Sequence, residues 1–430
     1  MATARTLAEW LSFIERQHPA SIALGLERVE AVRARLALRF DCPVITVGGT
    51  NGKGSTCAML EAMLRAAGYR SGLYTSPHLV RYGERVRVDG CEASEAALCE
   101  AFAAVEQARG ALPLTYFEFG TLGALWLFQR ERLDVAVLEV GLGGRLDAVN
   151  VIDADCAVLT AIDIDHSDYL GPTREDIGRE KAGILRAARP AVIGDPDPPR
   201  SVLRAAQAVG ARLLRLGEDF GFELQGAQWR YWGPGGRRVS LAHPALRGQV
   251  QLANAATAIC ALETLRDHLP LSMQDIRQGL ARVALPGRFQ VLPGRPSVVL
   301  DVAHNPQAAR ALAANLGAAG YTPETIGVLG MLADKDIDGV VRALAPRVTR
   351  WQLASLPGPR GARAEQLEGA LRRCGIQAPL RCHPDPRAAF HAALEEAGDD
   401  DRIVVFGSFL TVGEVAAHLE STRHRSSNDG

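Results

Sequence analysis

The sequence predicts an α/β protein. A mostly parallel sheet domain surrounds a phosphate-binding loop (P-loop) and carries an antiparallel hairpin region. A smaller, Rossmann-like doubly wound domain follows it. Three observations predict this. The β-branched run Val44-Ile45-Thr46-Val47 leads into Gly49-Thr50-Asn51-Gly52-Lys53-Gly54-Ser55 and then into a helical stretch. Apolar strand runs alternate with helical stretches on both sides of a Pro/Gly-rich segment at 285–297. Between them, 222–241 holds two strand-like runs about the turn signal Gly233-Pro234-Gly235-Gly236.

The elements follow in order. Leu7, Trp10, Leu11 and Ile14 recur at helical spacing, and 27–38 reads as a charged helix, with a loop at 21–26 between them. The run at 44–47 is a buried strand, and 55–67 is a helix stopped by Gly68. Further strands are expected at 135–140, 157–162 and 191–194. Thr173 followed by Asp176 opens a helix toward Leu185, and another helix covers 254–265. The segment at 285–297 reads as a linker, and the strands of the second domain fall at 298–300, 326–329, 351–353 and 403–406. The polar tail 421–430 is expected to be disordered.

Bulk properties narrow the function. The 430 residues allow two or three domains, and 47% hydrophobic with 23% charged residues is an ordinary globular composition. A formal net charge of -1 argues against nucleic acid or an anionic membrane as the main partner. No apolar run approaches the roughly 18 residues of a membrane span, and no signal peptide is evident. The 8 cysteines contain no C-x-x-C pair, which predicts reduced thiols, no zinc site and a cytoplasmic home.

The glycine-rich loop carries the strongest chemical signal. Its glycines let backbone N–H groups approach phosphate oxygens, and Lys53 would offset phosphate charge. Gly54 stands where such loops usually place the Ser or Thr that binds Mg²⁺, with Ser55 one position later, so a metal ligand is expected elsewhere. Glu139 ends an apolar strand before Gly141-Leu142-Gly143-Gly144, a place suited to Mg²⁺ or to a plain solvated charge. Asp163, Asp165 and His166 follow the next strand. Alone, His166 reads as a partly buried histidine; beside Glu139 it becomes a second metal ligand. By spacing alone, Lys181 reads as a surface helix lysine. Asp301-Val302-Ala303-His304-Asn305-Pro306 is either a ligand-facing strand end or a turn punctuated by Asn-Pro.

These motifs, with Ser76-Pro77-His78-Leu79-Val80, Glu180-Lys181-Ala182-Gly183-Ile184 and Leu285-Pro286-Gly287-Arg288-Phe289, resemble the folylpolyglutamate synthase/dihydrofolate synthase family of the Mur-ligase superfamily. The resemblance runs from about Leu7 to about Gly413. It implies an ATP-dependent ligase that joins L-glutamate to dihydropteroate and to the γ-carboxylate of reduced folates through an acyl phosphate. Residues 1–284 would form the ATP- and pterin-binding domain and 298–420 the ligase domain. Thr50, Asn51, Gly52, Lys53, Gly54, Ser55, Asn254, Arg288 and Asp301 would bind ATP, with His304 near the reaction centre. Two Mg²⁺ ions would be held by Ser76, Glu139 and His166, and Lys181 would be carbamylated. The pterin would lie along Ala23, Leu24, Gly25, Leu26, Thr115, Tyr116, Phe117, Glu118, Leu146, Asp147 and Ala148. Ala23 stands where family members often carry an acidic residue, which leaves a gap in that pocket. A monomer is expected. The alternatives are folylpolyglutamate synthase activity alone, another Mur-type amino-acid ligase, or a non-catalytic ATP switch. The stretch before Gly49 is too short for the extra nucleotide-sugar domain of cell-wall ligases.

Overall fold

The computed structural model describes residues 5–20, 22–226 and 228–428; Ser21 and the last two tail residues lie outside the described residues. The chain divides into two compact units. The first holds the described residues through His78, then Tyr82–Ala245 and Gln251–Val283; the second holds Leu79–Arg81, Leu246–Val250 and the described residues from Ala284.

Among the described residues of the first unit, one sheet contains β1 (Val44–Gly48), β2 (Ser71–Tyr74), β3 (Val86–Val88), β4 (Cys91–Glu92), β5 (Val135–Glu139), β6 (Cys156–Leu159), β7 (Pro190–Ile193) and β8 (Arg212–Arg215). Their order is β4-β3-β2-β5-β1-β6-β7-β8. The six strands from β2 to β8 run parallel, and β3 and β4 add an antiparallel edge. β1 is buried along its whole length, which is why it reads as an unbroken apolar run rather than an alternating one. It lies between β5 and β6, and the chain winds outward from it in both directions. The carboxyl end of such a strand is where open α/β sheets bind ligands.

The hairpin region resolves into β9 (Gly221–Gln225), β10 (Gln228–Gly233) and β11 (Gly236–Ala242), an antiparallel sheet. The predicted turn joins β10 to β11, with Gly236 at φ 94°. One extra strand appears because the first apolar run folds back on itself.

The second unit is a sheet of β12 (Gln290–Leu292), β13 (Ser297–Leu300), β14 (Thr325–Leu329), β15 (Arg350–Ala354), β16 (Leu380–His383) and β17 (Arg402–Phe406), ordered β12-β13-β17-β14-β15-β16. β13 to β17 run parallel, and apolar clusters pack on the sheet, Val299, Val404 and Phe406 in one and Val298, Ile403 and Val405 in the other. This is the doubly wound arrangement expected. Two expectations need correction. The segment 285–297 is not only a linker: Gln290–Leu292 pairs antiparallel with β13, because its apolar residues sit between two Pro/Gly clusters. The polar tail is not irregular at its start, since the helix Phe409–Asn428 runs through it. Among the described residues no helix is long and apolar enough to cross a membrane.

Candidate active site

The phosphate-loop segment leaves the carboxyl end of β1 and enters the helix Lys53–Ala66. Two of its glycines are required by geometry. Gly49 has φ 145° and a Cβ there would overlap Thr160 Oγ1; Gly52 has φ 93° and a Cβ would lie 2.6 Å from Asn254 Oδ1. The latter contact places Asn254, on the helix Val250–Thr264, beside the loop. The Thr50 amide donates to Ala161 O at 2.7 Å, and Thr160 Oγ1 donates to Asn51 O at 2.8 Å. Lys53 Nζ donates to Gly49 O and Thr50 O at 3.2 and 3.3 Å, folding its charge over the loop. Asn51 makes an isolated bridge with Ala161, while Gly54 and buried Ser55 lie in the first turn of the helix. Gly49→Ala is expected to cost about 1–3 kcal/mol in denaturant unfolding and to abolish nucleotide binding; an unchanged unfolding midpoint would contradict the strained-loop argument.

Two carboxylate-bearing elements and a lysine surround the loop. Glu139 ends β5 and is buried. Because Tyr74 pairs with Leu138 across β2 and β5, Ser76 emerges beside it, and the Ser76 amide donates to Glu139 Oε2 at 3.2 Å. Lys181 is the last residue of the helix Arg174–Lys181. It is buried, 4% exposed, and Nζ donates to Gly49 O at 2.8 Å. Burial first, then the Lys53 charge, lowers its pKa to about 7. Gly144 makes this packing possible: a Cβ there would meet the carbonyl oxygens of Glu180 and Lys181 at 2.9 and 2.8 Å. Asp163 and Asp165 lie in the loop after β6, where Asp163 N donates to Thr50 Oγ1 at 3.1 Å and Asp165 Oδ1 accepts from His166 N at 2.8 Å. His166, at φ 53°, opens the short helix Ser167–Leu170. Among the described residues no three His, Cys, Asp or Glu side chains gather as a metal cluster. The Glu139 carboxylate, the Ser76 hydroxyl and His166 could hold a divalent ion, a mostly oxygen set that would suit a hard cation.

A cavity of about 260 Å³ opens beside these groups. Ala23, Leu24, Thr115, Tyr116, Phe117, Glu118, Leu146, Asp147 and Ala148 line it, together with Ser76 and His166. Gly25 and Leu26 do not line it: Gly25 N donates to Leu146 O, and Leu26 precedes the helix Glu27–Arg35. Thr115 and Glu118 form a capping box that starts the helix Tyr116–Arg130, fixing Tyr116 and Phe117 in its first turn. Phe117 lies over Gly141, where a Cβ would meet its ring at 2.5 Å.

Two arginines at this cavity carry no motif. Arg28 makes an ion pair with buried Glu118 at 2.7 Å and donates to Ala23 O at 2.9 Å, joining two walls. Its signal in the sequence is only an arginine in a charged helix, and its partner lies far along the chain. Arg85 lines the cavity, lies 5.4 Å from the Tyr116 ring and donates from Nε to His78 Nδ1 at 2.8 Å. Burial and the Arg85 charge hold the His78 pKa down to about 4, so the ring stays a neutral acceptor.

Asp147 is buried, and burial pushes its pKa up to about 7 although Leu142 and Val149 amides donate to it. A raised folded pKa means that the folded chain holds the extra proton. Its contribution is full below the ordinary 3.8 and is lost as pH rises through about 7. Asp147→Asn is therefore expected to remove a falling stability slope of at most about 1.4 kcal/mol per pH unit in that window, read by denaturant titration. An unchanged slope would contradict the assignment.

In the second unit, Asp301 follows β13 and accepts from the Phe289 and Ala303 amides at 2.9 and 2.8 Å, tying Arg288 to the strand end. Burial raises its pKa, opposed by Arg288. The Arg288 guanidinium lies 5.5 Å from the Phe409 ring, His304 6.3 Å from the same ring, and His304 Nδ1 2.9 Å from Val302 O. Phe409 belongs to none of the motifs.

Comparison with known proteins shows the family. The Mur ligase middle domain matches residues 47–262, and the Mur ligase glutamate ligase domain matches 287–409. The dihydrofolate synthase/folylpolyglutamate synthase of Escherichia coli (strain K12) is 48% identical over 98% of this chain and 97% of its own; that of Haemophilus influenzae is 41% identical over 96% and 98%. The structure of E. coli FolC in complex with DHPP and ADP superposes with a TM-score of 0.92 at 48% identity, covering 98% of this chain and 99% of that one. A bifunctional folylpolyglutamate synthase/dihydrofolate synthase with Mn, AMPPNP and L-glutamate bound gives 0.89 at 47%, covering 97% and 98%. The chain belongs to the dihydrofolate synthase/folylpolyglutamate synthase family of the Mur ligases.

Proposed function

We propose that this ATP-dependent ligase attaches L-glutamate to dihydropteroate and to the γ-carboxylate of reduced folates. One observation carries the reading: a single cavity is lined by Tyr116, Phe117 and Leu146 on its apolar side and by Ser76 and His166 on its polar side. A flat ring with an acid arm fits that division. A carboxylate is a poor acyl donor, so its oxygen attacks the γ-phosphorus of ATP, giving an acyl phosphate and ADP. The glutamate amine then attacks the acyl carbon, phosphate leaves, and the amine proton passes to solvent. No enzyme nucleophile is needed.

Thr50, Asn51, Gly52, Gly54 and Ser55 cradle the phosphates with their backbone at a helix N-terminus. Lys53 offsets the charge of the transferring group, and Asn254, Arg288, Asp301 and His304 are assigned to the nucleotide and the reacting end. Two Mg²⁺ ions held by Ser76, Glu139 and His166 would supply charge neutralisation. Lys181 takes up CO₂: its neutral amine adds to carbon, one proton leaves, and an anionic carbamate remains. Its burial and its depressed pKa support this, since a protonated amine cannot react. Ala23, Leu24, Gly25, Leu26, Thr115, Glu118, Asp147 and Ala148 complete the pterin site. The work divides between residues 1–284 and 298–420. Free thiols at all eight cysteines fit the cytoplasm, and we propose a monomer.

Incubation with ATP, Mg²⁺, L-glutamate and each acceptor, read by ADP release and product mass, tests the function. Glutamylation of both acceptors is expected. Product from the reduced folate alone would favour the narrower activity, consistent with Ala23 at the cavity wall, and product from neither would overturn the reading.

A further inference from the structure

The loop after β6 carries His166, and the helix after it carries Lys181. An ion pair, Arg174 with Asp195, ties the start of that loop to the first turn of that helix. Arg174 lies 37% exposed in the first turn of the helix Arg174–Lys181, and Asp195, nearly buried, follows β7. Arg174 Nη2 meets Asp195 Oδ2 at 3.3 Å. Together they grip the backbone of Ile162: Arg174 Nε donates to Ile162 O at 2.9 Å, and Ile162 N donates to Asp195 Oδ2 at 2.7 Å. Arg174 also donates to Asp197 O at 2.9 Å, and Asp195 Oδ1 accepts from the Asp197 amide at 2.9 Å. On the other side, Thr50 Oγ1 donates to Asp163 O at 2.9 Å. The segment leading to His166 is thus clamped between the phosphate loop and the Arg174–Asp195 pair. A cation in the first helical turn opposes the helix dipole, so helix stability does not explain Arg174.

We infer that Arg174 and Asp195 are positioning residues that set His166, and with it the second metal ion, against the phosphate loop. The inference rests on the assignment of His166 proposed above. Outer partners that orient metal ligands typically change metal affinity on the order of 10–100-fold when removed.

The test is Mn²⁺ binding to the full chain in the presence of a non-hydrolysable ATP analogue, read by electron paramagnetic resonance of the free ion. The wild type is expected to hold two ions and His166→Ala one. Arg174→Ala is expected to weaken that same ion on the order of tenfold or more, with the first ion and the analogue bound as in the wild type. Arg174→Lys, which keeps the charge and one donor, should recover part of the loss. If His166→Ala keeps both ions, the ligand assignment itself fails. If His166→Ala loses one and Arg174→Ala keeps both at full affinity, the positioning inference alone is overturned. A uniform loss of both ions and of the analogue in Arg174→Ala, with a lowered Tm, would reduce the pair to general stability and also overturn it.

Discussion

Lys181→Ala is expected to lower kcat on the order of 10²–10³-fold, and added propionate to restore part of it. The structure gives the reason for both halves. Lys181 is buried against the first glycine of the phosphate loop, where a plain ammonium pays a desolvation cost and faces the Lys53 charge. The proposed anionic carbamate would reverse that sign and offset the cations that accompany a bound triphosphate. A small carboxylate can diffuse into the space left by alanine and supply the same charge. Lys181→Arg keeps a cation that cannot take up CO₂, so it is expected to be as inactive as the alanine variant. Turnover measured with and without propionate checks this; wild-type activity in Lys181→Arg would show that a cation suffices. The pH sign follows from a folded pKa of about 7 against 10.5. The neutral amine dominates above about 7, so removing CO₂ from the buffer should slow a fresh sample more after incubation at low pH than at high pH.

Lys53→Ala is expected to lower kcat on the order of 10³-fold with a smaller rise in the KM for ATP. Its amine bonds Gly49 O and Thr50 O, neutral acceptors that it can exchange for phosphate oxygens. Charge on those oxygens changes most during phosphoryl transfer, so the loss falls mainly on the transition state. Steady-state kinetics with ATP varied at saturating acceptor and glutamate would check it. A large KM increase at unchanged kcat would make Lys53 a binding residue only.

The phosphate loop was legible because strand, glycines, lysine and helix follow one another within a few residues, so local rules decide its shape. Glu139 and His166 were legible as strand-end residues, since strand runs locate the carboxyl edge of a sheet. Lys181 was not, because its burial depends on Gly144, a residue of another loop that lets two backbones close. Arg28 and Arg85 escaped for a related reason: their partners, Glu118 and Tyr116, are brought to them by the helix Tyr116–Arg130 and not by spacing. β12 escaped because Pro and Gly on both flanks hide three strand residues. The residues that the family resemblance assigns to the pterin meet at one cavity, all but Gly25 and Leu26.

In the proposed reaction, an acyl phosphate of the pterin acid is the species glutamate attacks. Dihydropteroate labelled with ¹⁸O in its carboxylate, turned over with ATP and L-glutamate, tests it most directly. One ¹⁸O atom is expected in each inorganic phosphate released, because the attacking carboxylate oxygen leaves with phosphorus. Glutamylated product accompanied by unlabelled phosphate would contradict it.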